Sequence, residues 1–539
     1  MDDSPVIPDD IPHFQATWEN WAGEFRVPNL RFTTPASPEE VVLLANWCAQ
    51  NRARLRASGR RHGWSPLTIS QQATSQSRLL IADTVPFLNR MELTRYQGIP
   101  AVRAEAGVVL EDLMEFLEQS GYGMTAVTAV GDVTIGGVLA IGAHGSAIPA
   151  IGESSRPQQT YGSLSNRILQ LKAVVWDEHA QQYALRTFDR SDPEIAPLLA
   201  SLGRTFITEA TLAVEPNHNL RCQSYVNISA DEMFAAGGSD GRTIESFLDS
   251  AGRIEVIWYA FTERPWLKVW SVQPDKPAIS RRVSSPYNYP FSDNLPKLVT
   301  DLAREIVAGN PAVAPLFGST IYSATAAGLA ATLGLDLWGA SKDTLLFIKP
   351  TTLRVHEASW VLLTQRSNVQ QVLHEHAREH RRLLQFNRSS GRFPINMPVE
   401  YRVTGVDRPS DTGLADAQVA ALSPLRPRDD KPEWDTAVWI STLTMPGTPH
   451  MYAYFRDMER WLYSRFDGSF GQIRPEWSKG WAYTNAAAWA DENELRQRIP
   501  RAFRDGLFEH NWEASTASLD RLDPHRVFSN QFLDRLMPL

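Results

Sequence analysis

The chain has 539 residues, 43% of them hydrophobic and 21% charged, with a formal net charge of -8 at pH 7. That length is too great for one ordinary hydrophobic core, so two large domains are expected. The acidic balance excludes a nucleic-acid partner, since neutralising phosphates takes a basic surface. With only Cys48 and Cys222 present, a disulfide framework and a cysteine-type zinc site are excluded as well.

The chain begins Met1-Asp2-Asp3-Ser4-Pro5, without a basic or an apolar leader region. It is expected to be cytoplasmic, or a mature form carrying an added initiator Met. Ser37-Pro38-Glu39-Glu40 predicts a helix start, with Ser37 as N-cap, Pro38 as first helical residue and Glu40 as the reciprocal capping partner. Val41, Leu44, Ala45 and Cys48 follow at helical spacing, and Cys48 reads as a small buried hydrophobe. Residues 53–57, 79–81 and 102–106 read as strands, Gly107 ends the last, and 110–117 is an amphipathic helix. Strands at 167–176 and 205–214 complete an α+β mixture up to about residue 214. From residue 221 the texture changes, with a long aromatic strand at 253–261 and a hairpin partner at 266–272. No charged residue occurs from 306 to 335, a length that can span a bilayer. Small and polar residues interrupt that stretch, and Pro311 and Pro315 break its first part. A buried small-residue helix is therefore predicted over 323–333, with a cavity wall or a lipid-touching patch as the weaker reading. A helix at 369–384 and a strand at 399–403 follow, and 407–433, rich in Pro, Asp and Arg, reads as a surface excursion. The fold class is α+β in two domains, 1–215 and 216–480, the second a mixed sheet covered by helices, with 481–539 returning to the first. The 17 Trp and 22 Phe supply aromatic surface for an apolar cavity.

The chemistry concentrates at a few places. The run Ser58-Gly59-Arg60-Arg61-His62-Gly63-Trp64-Ser65-Pro66 breaks the strand at 53–57 into a cationic turn. Such a turn exposes several backbone N–H groups in one concave nest that binds phosphate, while Arg60 and Arg61 add positive field. The bland alternative is an ordinary turn with a solvated histidine. Val130-Gly131-Asp132-Val133-Thr134-Ile135-Gly136-Gly137 and Gly142-Ala143-His144-Gly145-Ser146 let backbone approach a ligand closely. Gly203-Arg204-Thr205-Phe206-Ile207 is a third glycine-led run. No strand-GxGxxG-helix unit is present, so a Rossmann site is excluded. In Glu400-Tyr401-Arg402 the two charges share one face of a strand and can pair, which on spacing alone is a surface ion pair. Glu255 stands alone among Ile254, Val256, Ile257, Trp258 and Tyr259. It either faces solvent or points inward, where desolvation would raise its pKa into an acid–base range. His376-Ala377-Arg378-Glu379-His380 fits the H-x-x-E-H pattern of some zinc peptidases. The run 374–382 is, however, dense in charge as a solvated helix face is, so no metal is expected.

Taken in order, the Arg61-His62-Gly63-Trp64-Ser65-Pro66 loop and the glycine runs resemble the flavin-contacting segments of the vanillyl-alcohol oxidase and p-cresol methylhydroxylase superfamily. Within it the chain resembles the covalent-flavin cholesterol oxidases, from this loop to the tail Asp523-Pro524-His525-Arg526-Val527-Phe528. The resemblance implies an FAD-binding domain over 1–215, a substrate domain over 216–480 and FAD carried covalently on His62. It implies pyrophosphate contacts from Ser58 to Pro66 and along Gly131, Asp132, Thr134, Gly136, Gly137, Gly142, His144 and Gly145, and adenine contacts at Gly203 and Ile207. It gives Arg402 the role of stabilising negative charge on substrate oxygen or reduced flavin. Glu400 would pair with Arg402 and swing to admit oxygen. Lys479 would be the cation near the flavin pyrimidine ring, Asn485 a nearby polar contact, and Glu255 a pocket glutamate. The implied activity is oxidation of cholesterol by dioxygen to the 3-ketone and hydrogen peroxide. Isomerisation to the 4-en-3-one would follow, with Glu255 as base and Glu400 as alternative. A secreted enzyme that touches membrane surfaces transiently is implied, with oligomeric state open. A polyol or sugar oxidase, a zinc peptidase and a non-catalytic sterol-binding protein are the alternatives.

Overall fold

The computed structural model describes residues 7–8, 11–154, 158–289, 295–504 and 510–539. The opening residues Met1 to Pro5, on which the reading of the leader rests, lie outside them.

The helix Pro38–Gln50 starts where its capping signals fall. The Ser37 hydroxyl accepts the Glu40 N–H, and the Glu40 carboxylate accepts from Ala36 at 2.7 Å, one residue before the reciprocal partner expected. Its buried face of Val41, Leu44, Ala45 and Cys48 packs with Leu55, Leu80 and Phe206. A four-stranded sheet lies in the order His13–Glu19, Arg26–Thr33, Leu79–Asp83, Arg54–Ser58, the last two pairs parallel. A five-stranded antiparallel sheet follows in the order Met91–Tyr96, Ile99–Glu105, Phe206–Ala213, Ile168–Asp177, Gln182–Asp189. Val527 and Phe528 of the tail are buried in the same core as Val41 and Leu55.

The remainder is organised on a nine-stranded mixed sheet. From one edge it runs Arg281–Arg282, Asp336–Ala340, Asn219–Tyr225, Trp266–Val272, Arg253–Tyr259, Pro398–Gly405, Thr436–Thr444, His356–Thr364 and Gln472–Pro475. The central strands Arg253–Tyr259, Thr436–Thr444 and His356–Thr364 are buried throughout, so their polar members, among them Arg253, Glu255, His356 and Glu357, must find partners inside the fold. Register decides the site: Lys268 faces Glu255, Glu255 faces Arg402 and Ile257 faces Glu400 across antiparallel pairs. Directly opposed side chains interact strongly, so this register gathers charges from three strands into one buried row.

Three expectations need correction. The uncharged helix is longer than 323–333 and runs Ala314–Ala331, and it is not buried as expected: within 323–333 only Thr325 and Leu329 are buried; Pro315 falls in its first turn, where a missing N–H costs nothing. Among the described residues, no helix is long and apolar enough to cross a membrane. The 407–433 segment is not a simple surface excursion. Asp407 and residues 420–426 are buried, held by hydrogen bonds from Ser163 and Ser423 to Asp407 and from the Trp477 indole to the Leu422 carbonyl. Finally, the H-x-x-E-H face is not solvated. His376 and His380 are buried against the Tyr401 and Tyr454 hydroxyls at 2.7 and 2.6 Å, while Glu379 pairs with Arg382. Among the described residues no metal-ligand cluster is found.

Candidate active site

The strand Arg54–Ser58 pairs in parallel with Leu79–Asp83 and stops at Gly59. A Cβ on Gly59 would lie 2.1 Å from the hydroxyl of Thr134, the N-cap of the helix Ile135–Ala140, so only glycine lets the loop pack on that helix start. Arg61 then adopts φ 62°, a left-handed conformation that costs a non-glycine residue roughly 1–2 kcal/mol. The turned chain is tied down at both ends: the Trp64 and Ser65 N–H groups donate to the Ser478 carbonyl at 2.7 and 3.2 Å, and the Asn530 amide donates to Pro66 and Leu67 carbonyls. Between the ties, no backbone carbonyl among the described residues accepts from the N–H groups of Arg60, Arg61, His62 and Gly63. Arg60 is paired with Asp132 at 3.0 Å, so part of its charge is already spoken for.

This loop lines a cavity of about 420 Å³. Ser58, Gly59, Arg60, Arg61, His62, Gly63, Ser65, Thr134, Gly136, Gly137, Gly142, His144, Gly203 and Ile207 all contribute to its wall. Another part of the wall is apolar and aromatic, with Tyr259, Trp266, Tyr289, Phe347, Met397 and Leu443. Charged side chains complete it: Glu357, Glu400, Arg402, Glu476 and Lys479.

Both ring nitrogens of His62 are buried and without a hydrogen-bond partner, and the ring stacks on Trp21 at 5.2 Å. Burial, reinforced by the Lys479 cation, lowers its pKa to about 4, so the imidazole is neutral with a free lone pair at pH 7. The Ser58 and Thr205 hydroxyls on the same wall are likewise buried and unpartnered. Unused backbone donors beside arginines, orphaned hydroxyls and an unpaired neutral imidazole form a donor set that fits a flavin dinucleotide.

Arg402 projects from the strand Pro398–Gly405. Its Nη2 meets Glu255 Oε1 at 2.5 Å and Glu400 Oε2 at 2.8 Å. Against the desolvation of burial, these two carboxylates hold the guanidinium firmly charged. Desolvation dominates at Glu400 and raises its pKa to about 7, although Arg402 pulls it down. Lys479 donates to Glu357 at 2.6 Å and sits over the Trp64 ring at 3.8 Å. Glu476 lies 3.7 Å from His144, whose ring stacks on Trp439 at 3.4 Å. Despite its burial, the nearby His144 ring and the Lys479 cation lower Glu476 to about 2.

Six expected site residues lie elsewhere. Glu255 is buried but does not line the cavity. Despite its full burial, Arg402 and then Lys268 lower its pKa, the reverse of the rise expected, because the register gives it two cations. Asn485 is exposed and accepts from Arg456, since the chain turns outward after Tyr483. Gly131 and Asp132 stand behind the wall, where Gly131 packs on Glu111, and Gly145 packs on the Val127 backbone. Pro66 lies outside it too, its carbonyl fixed by Asn530. Arg56, Glu357 and Glu476 line the cavity without having been read from the sequence. Arg56 is buried and donates to the carbonyls of Leu67, Thr68, Gly203 and Phe528, tying tail to loop. The one signal for Glu476 was its place three residues before Lys479.

An FAD binding domain model matches residues 30–181, and a model described as cholesterol oxidase, substrate-binding matches residues 219–538. A solved solvent-stable cholesterol oxidase is 48% identical with TM-score 0.97, the match covering 99% of both chains. The cholesterol oxidase from B. sterolicum is 42% identical with the same score and coverage. Among curated proteins, the D-arabinono-1,4-lactone oxidase of Saccharomyces cerevisiae is 25% identical over 252 residues, 46% of this chain and 42% of its own. The L-gulonolactone oxidase of Scyliorhinus torazame is 29% identical over 136 residues, 24% of this chain and 28% of its own. The chain thus spans less than half the length of these curated relatives. With more than half of its length matched by the substrate-binding model, beside an FAD-binding domain and a flavin-shaped donor set, the chain belongs to the cholesterol oxidase family.

Proposed function

We propose that this chain oxidises the 3β-hydroxyl of cholesterol to the ketone and then isomerises the product to the conjugated 4-en-3-one. The observation that carries the reading is Arg402, a guanidinium clasped by two carboxylates on the wall of an otherwise aromatic cavity that also bears the flavin-shaped loop. A rigid, nearly apolar sterol suits the wall of Trp266, Tyr289, Phe347 and Met397, and its single hydroxyl suits one fixed cation.

FAD, when bound, supplies the hydride acceptor and passes electrons to dioxygen, which leaves as hydrogen peroxide. The loop from Ser58 to Gly63 would hold its diphosphate. Attachment through His62 is supported by the neutral, unpaired ring at the loop. Arg402 orients the substrate oxygen and stabilises charge that develops there. Glu400, raised to about 7, takes the hydroxyl proton as the C3–H bond breaks. Once that proton has passed to solvent, the same carboxylate can take a C4 proton, acidified by the new carbonyl, and return it at C6. Glu255, held ionised behind Arg402, is not the base in this reading. Lys479, on the same cavity wall, would supply positive charge that favours an anionic reduced flavin. Export from the cell and contact with sterol-bearing membranes are part of this reading on the family likeness; fractionating cells from medium tests the first.

The decisive experiment is to supply purified protein with cholesterol and oxygen, follow peroxide and ketone, then denature it and measure flavin fluorescence on the chain. Peroxide without conjugated ketone would remove the isomerase. Fluorescence released from the chain would remove the covalent link.

A further inference from the structure

Lys268 takes no part in the chemistry above, yet it is completely buried beside it, with 0% exposure. Its Nζ lies 3.2 Å from Glu255 Oε2, 3.0 Å from the centre of the Phe347 ring and 4.4 Å from that of Tyr289. The other oxygen of Glu255 meets Arg402 Nη2, the nitrogen that Glu400 also meets. We infer that Lys268 is a positioning residue for the oxidation. It fixes Glu255 as a permanent carboxylate anchor, so that Arg402 stays at the cavity wall whether or not Glu400 carries a proton. The inference rests on the roles given to Arg402 and Glu400 above.

The physical case is a charge count. Lys268 and Arg402 balance Glu255 and Glu400, so the buried row is neutral with all four ionised. An unpaired buried charge is costly, and a group left so takes up or releases a proton instead. Without Lys268, two carboxylates would contend for one guanidinium, and one of them would protonate. Because both contact the same nitrogen, that proton would then decide which carboxylate Arg402 follows. The aromatic cage suits the task, since ring faces attract a cation while excluding water. The titratable groups facing Lys268 are Glu255, Arg402 from the strand beyond it, Cys222 from the strand Asn219–Tyr225, and Tyr289. Burial pushes Cys222 up to about 11 and Tyr289 well above its ordinary value, so both stay neutral. Glu357 and Lys479, which face Glu400, form their own pair at 2.6 Å, and Glu476, which also acts on Arg402 from farther off, lies 3.7 Å from His144 and is near Lys479 as well.

The test places Lys268→Met in the wild-type and Glu255→Gln holoenzymes. Two quantities are followed from acid to alkaline pH: kcat on cholesterol, and the thermal midpoint, which needs no substrate. In the wild-type background Lys268→Met should lower kcat and move the acid limb of its profile upward by about one pH unit or more. Its midpoint should fall more steeply with rising pH, because a carboxyl that keeps its proton in the native state loses stability as it ionises. In the Glu255→Gln background, adding Lys268→Met should change neither pH dependence further. Equal effects in both backgrounds would overturn the inference, since the lysine would then act by filling its cage. If Lys268→Met alone fails to fold but the double variant folds, the inference stands; if neither folds, it is overturned. A chain inert toward cholesterol whose midpoints still show the coupling would sink the proposed function and not the role of Lys268.

Discussion

At His62 two unpaired nitrogens and a pKa near 4 support the proposed attachment of the flavin. His62→Ala should therefore leave flavin that acid precipitation releases, with slower oxidation; flavin still fixed to the chain would refute the assignment. Arg402 differs in kind, because its value lies in preorganisation. Removing such a donor typically costs ~100–1000-fold in turnover, so Arg402→Ala should lose kcat far more than sterol binding. A loss of only a few-fold, about what an exposed ion pair is worth, would sink that role. For Glu400 the clean measurement bypasses oxidation. Supplied with cholest-5-en-3-one, Glu400→Gln should form conjugated enone roughly 100-fold more slowly or worse, the usual range for a lost general base. Ultraviolet absorbance reports the rate, and an unchanged rate would return the role to Glu255. The choice between these glutamates was invisible in the sequence. Both sit in apolar strands, and only the opposing strand decides that Glu255 receives two cations and Glu400 a share of one.

Among the elements, the loop after Arg54–Ser58 is a demanding piece of backbone, with its tight glycine and left-handed Arg61. Gly59→Ala would drive a methyl into Thr134. We expect a sharp drop in flavin content and a lower thermal midpoint, read from the ratio of visible to ultraviolet absorbance; full flavin loading would show that the contact relaxes cheaply. The loop's residues, order and cationic character were legible in the chain because they are local. The helix Ala314–Ala331 shows the opposite case. Its first turn contains Pro315, which local reasoning treated as a break, whereas a helix start tolerates proline. The 407–433 segment misled in the same way: its composition is polar, but Asp407 is used inside the fold to bind Ser163 and Ser423.

Over the whole molecule, buried titratable groups set the pH range of stability. Burial raises Glu400 to about 7, Glu459 to about 8 and Glu494 to about 7. A carboxyl whose folded pKa is raised holds its proton in the native state, so its contribution is lost as pH rises toward that value. Burial lowers His380 to about 3, and this costs stability only below its ordinary value of 6.5. The thermal midpoint should thus decline from pH 6.5 to 8 on the carboxyls alone, and Glu400→Gln should flatten the decline. A midpoint constant over that window would mean the carboxyls ionise without cost.

The sequence by itself determined the α+β class, several of the strands and helices, and the cationic glycine loop at His62. These follow from periodicity, capping and turn chemistry within a few residues of chain. The Glu400–Arg402 pair was also legible, because two residues apart on a strand fixes a shared face. Tertiary structure alone decided that Glu255 backs Arg402 instead of facing the cavity, that Lys268 neutralises it, and that Glu357 and Glu476 join the wall. It also turned Asn485 outward. Each of these depends on strand register or loop packing between segments far apart in the chain, and a charge's role inside a protein is set by the opposite charges that register brings against it.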